Sequence, residues 1–314
     1  MKILFMGTPD FAVGSLKMLN EKYDVVGVFT KPDKVNKRGN KVSFSPVKKY
    51  ALDNDLKVYQ PESVKSNETL DLVRSLKPDI IIVIAYGKIL PNELIEIPKF
   101  KIINVHASLL PKYRGAAPIH YSIINGDEKT GVSIMYIVEK LDAGDVILQK
   151  ETKIKEEDIL ETVYDRLAKL GEEALGEALE LIKDGKQNPK AQNESEVSFV
   201  KPISKEEAQI NWNQTKENIY NFVRGMNPFP CSYTFLNQKR YKIYEVEKVE
   251  TDFVGEIGEV IDLIKGKGPL IKVENGAVIL KQVKPENKKI LTGKDLINGN
   301  FISKGDRFEN RINK

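Results

Sequence analysis

Two polar side chains stand close together at the end of an apolar stretch near the middle of the chain. Asn104 and His106 are two residues apart in IINVHAS, and residues two apart in a strand point to the same face. An amide beside an imidazole can hydrogen-bond a developing oxyanion and protonate a leaving nitrogen. A histidine at a strand end can equally be a core residue whose ring bonds to the backbone. The pair is therefore a candidate site with no reaction yet attached.

A second candidate is the acidic, glycine-containing loop EKLDAGDV, from Glu139 to Val146. If Asp142 lies beside His106, its carboxylate would orient the imidazole ring. Asp142 and Asp145 could instead hydrogen-bond the backbone of their own loop, which is the usual role of Asp in such turns. The residues alone leave both possibilities open.

The elements that position these residues follow from the apolar pattern of the first half of the chain. We predict strands at Lys2–Gly7, Asp24–Thr30, Asp79–Tyr86 and Lys101–Ser108. Strands that are apolar on both faces and separated by helices indicate an α/β fold with a doubly wound, mostly parallel, Rossmann-like sheet. Ligands bind at the carboxyl ends of such strands, which is where Asn104 and His106 fall.

The first turn of this predicted sheet argues against a dinucleotide site. The first strand runs into GTPDFA and not into GxGxxG. Pro9 places a ring where the second glycine of that motif would let a phosphate approach the backbone. An NAD site is therefore not expected.

The second half of the chain has a different texture. After a long helix predicted over Ile159–Asp184, a polar stretch with two prolines indicates a linker at residues 189–204. We therefore predict a catalytic domain at 1–188 and a second domain at 205–314. The second domain has one predicted helix and several short alternating runs, including an Asn-Gly pair typical of a hairpin. This pattern indicates a small OB-like β-barrel.

The composition excludes several classes of protein. With one cysteine, Cys231, the chain has no internal disulfide framework, and with two histidines and no CxxC or HExxH it is expected to bind no metal. The apolar stretch in MKILFMGTPDF is too short for a signal peptide, and no run approaches the roughly 20 apolar residues of a membrane span. A cytoplasmic protein is expected.

The net charge of +4 is unevenly distributed. Residues 204–314 hold 19 Lys and Arg against 15 Asp and Glu, whereas the first 203 residues hold 30 of each. The stretch Lys281–Lys294 has five lysines and one glutamate, and the stretch Lys31–Lys48 has six basic residues and Asp33 as its one acid. Both patterns favour a polyanionic partner such as RNA. The alternative is that both are solvated surface.

The order of these motifs resembles the methionyl-tRNA formyltransferase family, within the superfamily that uses 10-formyltetrahydrofolate. The resemblance covers essentially the whole chain. It rests on the following segments: MGTPDFAV (6–13), KPDKVNKRGNKVSFSPVK (31–48), AYGKILP (85–91), NVHASLLPKYRGAAPI (104–119), EKLDAGDV (139–146) and MNPFP (226–230). The segment 104–119 is the most specific of these, and the others gain weight from their order and spacing.

The resemblance implies roles for particular residues. It assigns catalysis to Asn104, His106 and Asp142. It implies that tetrahydrofolate contacts these residues: Ser108, Leu109, Leu110, Pro111, Tyr86, Gly87 and Leu90. It implies that Arg38 helps the basic loop to insert between the strand ends of the tRNA acceptor stem. With the charge pattern, it predicts tRNA contacts by these residues: Arg38, Lys37, Lys41, Lys281, Lys288 and Lys289.

Some positions depart from the pattern of the family. Lys112 and Tyr113 stand where Arg and Trp are common, and Phe229 stands where Trp is common. Cys231 stands where a small residue such as Gly is usual. Because none of these positions belongs to Asn104, His106 or Asp142, the departures bear on tRNA affinity and not on the chemistry.

The activity implied is transfer of a formyl group from 10-formyltetrahydrofolate to the amine of initiator methionyl-tRNA, for translation initiation, by a monomer without a metal. Asn104 and His106 would stabilise the oxyanion, and Asp142 would move protons, through a water. Two alternatives remain. One is a formyltransferase acting on a ribonucleotide or an amino sugar, against which the second domain, the basic loop and MNPFP argue. The other is a non-catalytic RNA-binding protein, against which the intact set of three residues argues.

Overall fold

The computed structural model describes residues 1–35 and 42–310. The strands are β1 (Lys2–Gly7), β2 (Asp24–Phe29), β3 (Lys34–Val35), β4 (Val42–Ser43), β5 (Val58–Tyr59), β6 (Ile80–Ile84), β7 (Ile102–His106), β8 (Arg114–Gly115), β9 (Lys129–Tyr136), β10 (Val146–Lys153), β11 (Phe199–Val200), β12 (Tyr233–Leu236), β13 (Lys239–Val249), β14 (Val260–Ile264), β15 (Gly268–Val273), β16 (Gly276–Pro285) and β17 (Leu291–Thr292). The helices are α1 (Val13–Lys22), α2 (Pro46–Asp53), α3 (Asn67–Leu76), α4 (Asn92–Ile95), α5 (Pro118–Ile124), α6 (Leu160–Lys183), α7 (Lys216–Met226) and α8 (Gly293–Asn298).

The main sheet of the first half has, among the described residues, seven strands in the order β10-β9-β7-β6-β1-β2-β5. Strands β5, β2, β1, β6 and β7 are parallel, and β9 is antiparallel to β7. The chain order reverses between β1 and β6, so the switch point of the sheet lies where Gly7 pairs with Ile84. The predicted doubly wound, mostly parallel sheet is confirmed.

The parallel strands form because they are apolar on both faces and helices cover them. All five residues of β6 are buried, as are the last five of β1. The strands end earlier than the apolar pattern predicts. β6 stops at Ile84 because Ala85 has a φ of +48°, which is outside the extended region, and β7 stops at His106. The residues Ala85–Tyr86 and Ala107–Ser108 are therefore loop and not strand.

The second half of the chain carries an antiparallel sheet. Within the described residues its strand order is β12-β13-β16-β15-β14, and β17 pairs with β16. The predicted Asn-Gly hairpin is confirmed, because Val273 of β15 pairs with Gly276 of β16 around Glu274 and Asn275. The core of this sheet includes Trp212, which is fully buried.

The chain divides into two compact units that are not simple halves. The first unit contains Met1–Gly115, Thr130–Thr152 and Tyr164–Val200. The second unit contains Ala116–Lys129, Lys153–Val163 and the residues from 201 onward. The segment predicted as a linker, 189–204, has structure of its own, because it includes a 3-10 turn and β11.

No helix in ranges 1–35 and 42–310 has both the length and the apolar content that crossing a membrane requires.

Candidate active site

Strand β7 presents Asn104 and His106 on one face of the sheet. Asn104 lies between Val83 of β6 and Met135 of β9, and His106 pairs with Ser133 of β9. The residues on either side of Asn104, Ile103 and Val105, are buried on the other face. Asn104 is half-buried, and in the described part of the chain its carboxamide has no hydrogen-bond partner. The amide is therefore free to bind a substrate.

The imidazole of His106 is buried, with its two nitrogens in different surroundings. Nε2 lies 2.9 Å from the carbonyl oxygen of Tyr113. Because a carbonyl only accepts, Nε2 carries a proton and donates it there. Nδ1 lies 3.7 Å from Oδ2 of Asp142, which is longer than a hydrogen bond. One nitrogen is thus satisfied by the backbone, as in a core histidine, while the other faces a carboxylate.

Asp142 reaches His106 from the loop that follows β9. Its Oδ2 accepts a hydrogen bond of 2.8 Å from the backbone N–H of Gly115. Asp142 itself has a φ of +48°, a conformation that costs a non-glycine residue free energy. Its partner lies in β8, outside the loop of Asp142, whereas the carboxylate of Asp145 is exposed. Asp142 is therefore not the local turn-capping residue that the alternative interpretation describes.

The segment Ser108–Pro111 forms a turn directly after β7. The hydroxyl of Ser108 is buried and donates to the carbonyl oxygen of Lys112 at 2.6 Å, and the Leu110–Pro111 peptide is cis. Leu110 is buried, whereas Leu109 and Pro111 are half-buried. The turn thus presents partly exposed apolar side chains beside the candidate catalytic residues.

This turn is stabilised by hydrogen bonds from two polar side chains that were not predicted to belong to the site. Ser133 accepts a hydrogen bond from the N–H of Leu110 and donates one to the carbonyl oxygen of Ser108, at 3.0 and 2.7 Å. The amide of Gln149 donates to the carbonyl oxygen of Leu110 and to the hydroxyl of Ser133, both at 2.8 Å. Neither residue belongs to a recognisable motif, because each lies within an ordinary strand.

Tyr86, Gly87 and Leu90 follow β6 at the switch point of the sheet. Tyr86 is fully buried, and burial raises the pKa of its hydroxyl to about 12. Among the described residues, this hydroxyl and that of Thr8 are buried without hydrogen-bond partners. Gly87 has a φ of +72°, which favours glycine, and Leu90 is buried. Buried hydroxyls without partners at a switch point are the expected lining of a ligand site.

A cavity of about 430 Å³ lies next to the loop of Asp142. It is lined by α4, by the turn after α4 and by the end of β9, including Ile95, Lys101, Tyr136 and Val138. None of the seven residues predicted to contact tetrahydrofolate lines it. The cavity is therefore separate from the residues predicted to bind the folate.

Residues 190–200, here called the bridging segment, connect two loops of the site. At its start, Lys190 pairs with Val146, directly after the loop of Asp142. At its end, β11 pairs with β8, so that Phe199 lies beside Arg114 and Val200 beside Gly115. These residues lie within the segment predicted as a linker, for which no role at the site was predicted.

The basic loop is described at its two ends. Lys37, Arg38 and Lys41 lie outside the described residues. The ends are joined because the ammonium of Lys48 pairs with Asp33 at 2.5 Å and donates to Gln60 at 2.7 Å. Since the loop follows β2, it leaves the sheet at the same carboxyl edge as Asn104 and His106.

The three lysines predicted to bind tRNA in the second unit differ in their surroundings. Lys281 pairs with Glu247 at 3.2 Å, and Lys267 shares that carboxylate. Lys288 and Lys289 are exposed in the loop between β16 and β17. Of these three lysines, Lys288 and Lys289 form no ion pair among the described residues, so their charge is not offset there.

Comparisons with known proteins establish the family of this chain. The family model described as formyl transferase matches residues 1–179, and the model of the formyl transferase C-terminal domain matches residues 202–300. The methionyl-tRNA formyltransferase of Fusobacterium nucleatum is 50% identical over 310 residues, which cover 98% of this chain and 99% of that protein. This chain belongs to the methionyl-tRNA formyltransferase family.

A second relative extends the comparison across bacteria. The methionyl-tRNA formyltransferase of Bacillus subtilis is 42% identical over 307 residues, which cover 97% of this chain and 96% of that protein. The family assignment means that this methionyl-tRNA formyltransferase family member is a group-transfer enzyme, as predicted from the sequence.

Solved structures share the fold of this family member. The sugar 3N-formyltransferase WlaRD, solved with dTDP and 5-N-formyl-THF, has a TM-score of 0.68 at 22% identity and covers 92% of this chain and 99% of its own. The N-formyltransferase of Helicobacter canadensis, solved with folinic acid and dTDP-3-aminofucose, has a TM-score of 0.66 at 21% identity, covering 89% and 98%. At these identities the similarity establishes the fold alone.

Proposed function

We propose that the chain transfers a formyl group from 10-formyltetrahydrofolate to the amino group of methionyl-tRNA, at a site formed by Asn104, His106 and Asp142. The observation that carries the proposal is the convergence of these side chains at the carboxyl edge of the sheet. His106 and Asp142 face each other at 3.7 Å, and the amide of Asn104 leaves the same face of β7 as His106. Membership of the family supplies the reaction.

The roles of the three residues follow from what each can donate or accept. Asn104 donates a hydrogen bond from its amide to the formyl oxygen, where negative charge develops. His106, when protonated at Nδ1, supplies a second donor, because Nε2 is occupied by the carbonyl oxygen of Tyr113. Asp142 accepts, through a water, the proton that the amine loses as it bonds to the formyl carbon, and a proton is returned to N10 when its bond to that carbon breaks.

The residues around the switch point fit a folate. The co-substrate supplies a formyl group carried on nitrogen N10. The hydroxyls of Tyr86 and Thr8 are buried without partners, and polar atoms of a ring system could satisfy them. Leu90, Leu109 and Leu110 would supply apolar contacts to that ring system, which is the role that the resemblance implies for them.

A tRNA partner is supported by one face of the second unit. Tyr233, Lys242 and Lys284 lie side by side across β12, β13 and β16, and the guanidinium of Arg240 lies 5.9 Å from the ring centre of Tyr233. We call these four residues the basic row. In the portion of the chain that is described, its three cations form no ion pair. Aromatic rings interleaved with unpaired cations are typical of RNA-binding surfaces.

The predicted organisation completes the proposal. The predicted catalytic part is residues 1–188, the predicted linker is 189–204, of which the residues up to Val200 belong to the first compact unit, and the predicted tRNA-binding part is 205–314. We infer that the enzyme works in the cytoplasm as a monomer and prefers initiator tRNA. The charge excess of the last third and the separate family match at residues 202–300 support this division.

One assay tests the proposed substrate. The purified chain is given 10-formyltetrahydrofolate together with methionyl initiator tRNA, glycinamide ribonucleotide or a nucleotide-linked amino sugar, and formylation of each is measured. We expect formylation of the methionyl-tRNA alone. Formylation of the ribonucleotide or the sugar would assign the chain to one of the alternative formyltransferases. Formylation of none, with RNA binding retained, would favour the non-catalytic alternative.

A further inference from the structure

Gln192, in the bridging segment, hydrogen-bonds to the loop that carries Asp142. The amide Nε2 of Gln192 donates two hydrogen bonds of 2.8 Å, one to the carbonyl oxygen of Asp142 and one to that of Gly144. These two bonds use the full donor capacity of the amide. Since they span both sides of Ala143, they set the path of the backbone at the tip of the loop.

Arg114 holds Gln192 in this position. Nε of Arg114 donates to Oε1 of Gln192 at 3.1 Å, which identifies the other end of the amide as its nitrogen. Nη2 of the same guanidinium pairs with Glu194 at 2.8 Å. The arginine side chain is buried, and a buried charge requires such partners. The orientation of Gln192 is therefore determined on both sides.

The loop requires this support because its conformation is unfavourable by itself. Asp142, with a φ of +48°, lies in the left-handed region, which is less favourable than the right-handed or extended regions for a residue other than glycine. At the next turn of the loop, a Cβ on Gly144 would overlap the carbonyl oxygen of Tyr136. Without an external donor, the backbone could relax by rotating Asp142 out of this region, which would carry its carboxylate away from His106.

We propose that Gln192, oriented by Arg114, is a positioning residue that holds the carboxylate of Asp142 at the reacting groups. The inference rests on the proposed function, because it assumes that Asp142 takes part in the chemistry. Gln192 touches no substrate in this scheme. It acts through the backbone of Asp142, while the N–H of Gly115 holds the carboxylate itself.

The test is a double-mutant cycle in the full chain. Gln192→Leu keeps the size of the side chain and removes both donors, and Asp142→Asn removes the charge. We expect Gln192→Leu to lower kcat by about 10- to 100-fold with little change in the KM values for 10-formyltetrahydrofolate and methionyl-tRNA, since misplacement of a reacting group acts on the chemical step. In the Asp142→Asn background, Gln192→Leu should have almost no further effect on kcat.

Matched variants separate positioning from general destabilisation. Asn193→Ala lies on the same segment, where the side chain accepts from Ser195, and should leave kcat near the original value. Gln192→Glu replaces the donor by an acceptor and should lower kcat as Gln192→Leu does, although it can still pair with Arg114. If Gln192→Leu does not fold, the same comparison is made with Gln192→Glu.

The outcomes distinguish the two proposals. Equal losses from Gln192→Leu in the original and Asp142→Asn backgrounds, or a normal kcat for Gln192→Leu and Gln192→Glu, would overturn the positioning role while leaving the proposed function intact. A normal kcat for Asp142→Asn alone would instead overturn the proposed catalytic role of that residue.

Discussion

Nε2 of His106 donates to the carbonyl oxygen of Tyr113 at 2.9 Å, and this single bond determines which ring nitrogen is available at the site. The ring cannot rotate by half a turn without losing that bond while buried. Nδ1 is therefore the nitrogen that faces Asp142. The tautomer follows from the fold of the turn after β7, and it does not depend on a substrate.

Substitution of His106 should remove most of the activity. His106→Gln can keep a donor to Tyr113 through its amide but has no group in the place of Nδ1. Loss of a proton-donating group in a transition state lowers kcat by about 10²- to 10⁴-fold. Steady-state kinetics with saturating methionyl-tRNA measures this loss, and a thermal unfolding curve shows whether the fold is kept. Near-normal turnover would mean that Nδ1 plays no part in the reaction.

Substitution of Asp142 should separate its charge from its hydrogen bond. Asp142→Asn still accepts from the N–H of Gly115 but cannot take a proton, so we expect kcat to fall by about 10² or more. The control is Asp145→Asn in the same loop, which loses an exposed carboxylate and should retain its kcat. Similar losses in both variants would indicate that the overall charge of the loop matters and not the position of Asp142.

Substitution of Gly115 should weaken both the fold and the site. Its φ is +119°, and a Cβ there would overlap the carbonyl oxygen of Val200 in the bridging segment. Gly115→Ala should lower the free energy of unfolding by about 3 kcal/mol. Gly185→Ala is a matched control, because Gly185 also has a positive φ but open space around it, and should cost about 1 kcal/mol. Chemical denaturation measures both, and equal costs would exclude the overlap as the cause.

The stability of the protein should depend on pH through His120. Burial lowers the pKa of His120 below its ordinary value of 6.5, although a bond of 3.3 Å to the carbonyl oxygen of Phe229 acts in the opposite direction. A lowered pKa in the folded state means that the unfolded chain binds the proton more readily. The contribution is therefore fully present above pH 6.5 and is lost as the pH falls through the lower pKa of the folded state.

The variant His120→Gln tests this dependence. Glutamine keeps a donor for Phe229 but does not titrate. The free energy of unfolding, measured by denaturant at pH 7.5 and at lower pH, should fall less in the variant than in the original chain. An identical fall in both would show that other groups cause the pH dependence.

Charge reversal in the basic row should weaken the use of tRNA. Lys242→Glu with Lys284→Glu should raise the KM for methionyl-tRNA by about tenfold and reduce its salt dependence, since each lost phosphate contact lowers the salt slope. The KM for 10-formyltetrahydrofolate should not change. Lys265→Glu with Lys304→Glu is the control, because it makes the same change of charge near β14, at the opposite edge of the sheet, where Lys304 lies 3.8 Å from Asp262. If both double variants raised the KM for methionyl-tRNA equally, the effect would be due to net charge and not to the basic row.

The parts of the fold that the sequence predicts are those governed by short-range patterns. The run Ile80–Ile84 is apolar throughout, the run Ile102–His106 is apolar apart from Asn104 and His106, and α6 lies within one residue of its predicted bounds at each end. The antiparallel sheet follows from its turn signals. The ends of the strands were predicted less accurately, because the positive φ at Ala85 depends on the loop that follows β6 and not on the strand itself.

The supports of the site could not be predicted in the same way. Arg114 stands next to the candidate residues, and a buried arginine needs an acceptor, but no spacing rule indicates that Gln192 and Glu194 provide it. Ser133 and Gln149 lie on the neighbouring strands β9 and β10, and no motif in either strand marks them. These contacts depend on tertiary register, which the apolar pattern of one segment does not specify.

The position of the bridging segment also limits how the chain can be shortened. A chain that ended at residue 188 would contain Asn104, His106 and Asp142, but it would lack Gln192, Glu194 and the strand that pairs with Arg114 and Gly115. The loop of Asp142 would then keep its sequence and lose its donors. The shortest piece with an assembled site therefore extends to Val200. The residues that complete the site thus overlap the segment predicted as a linker.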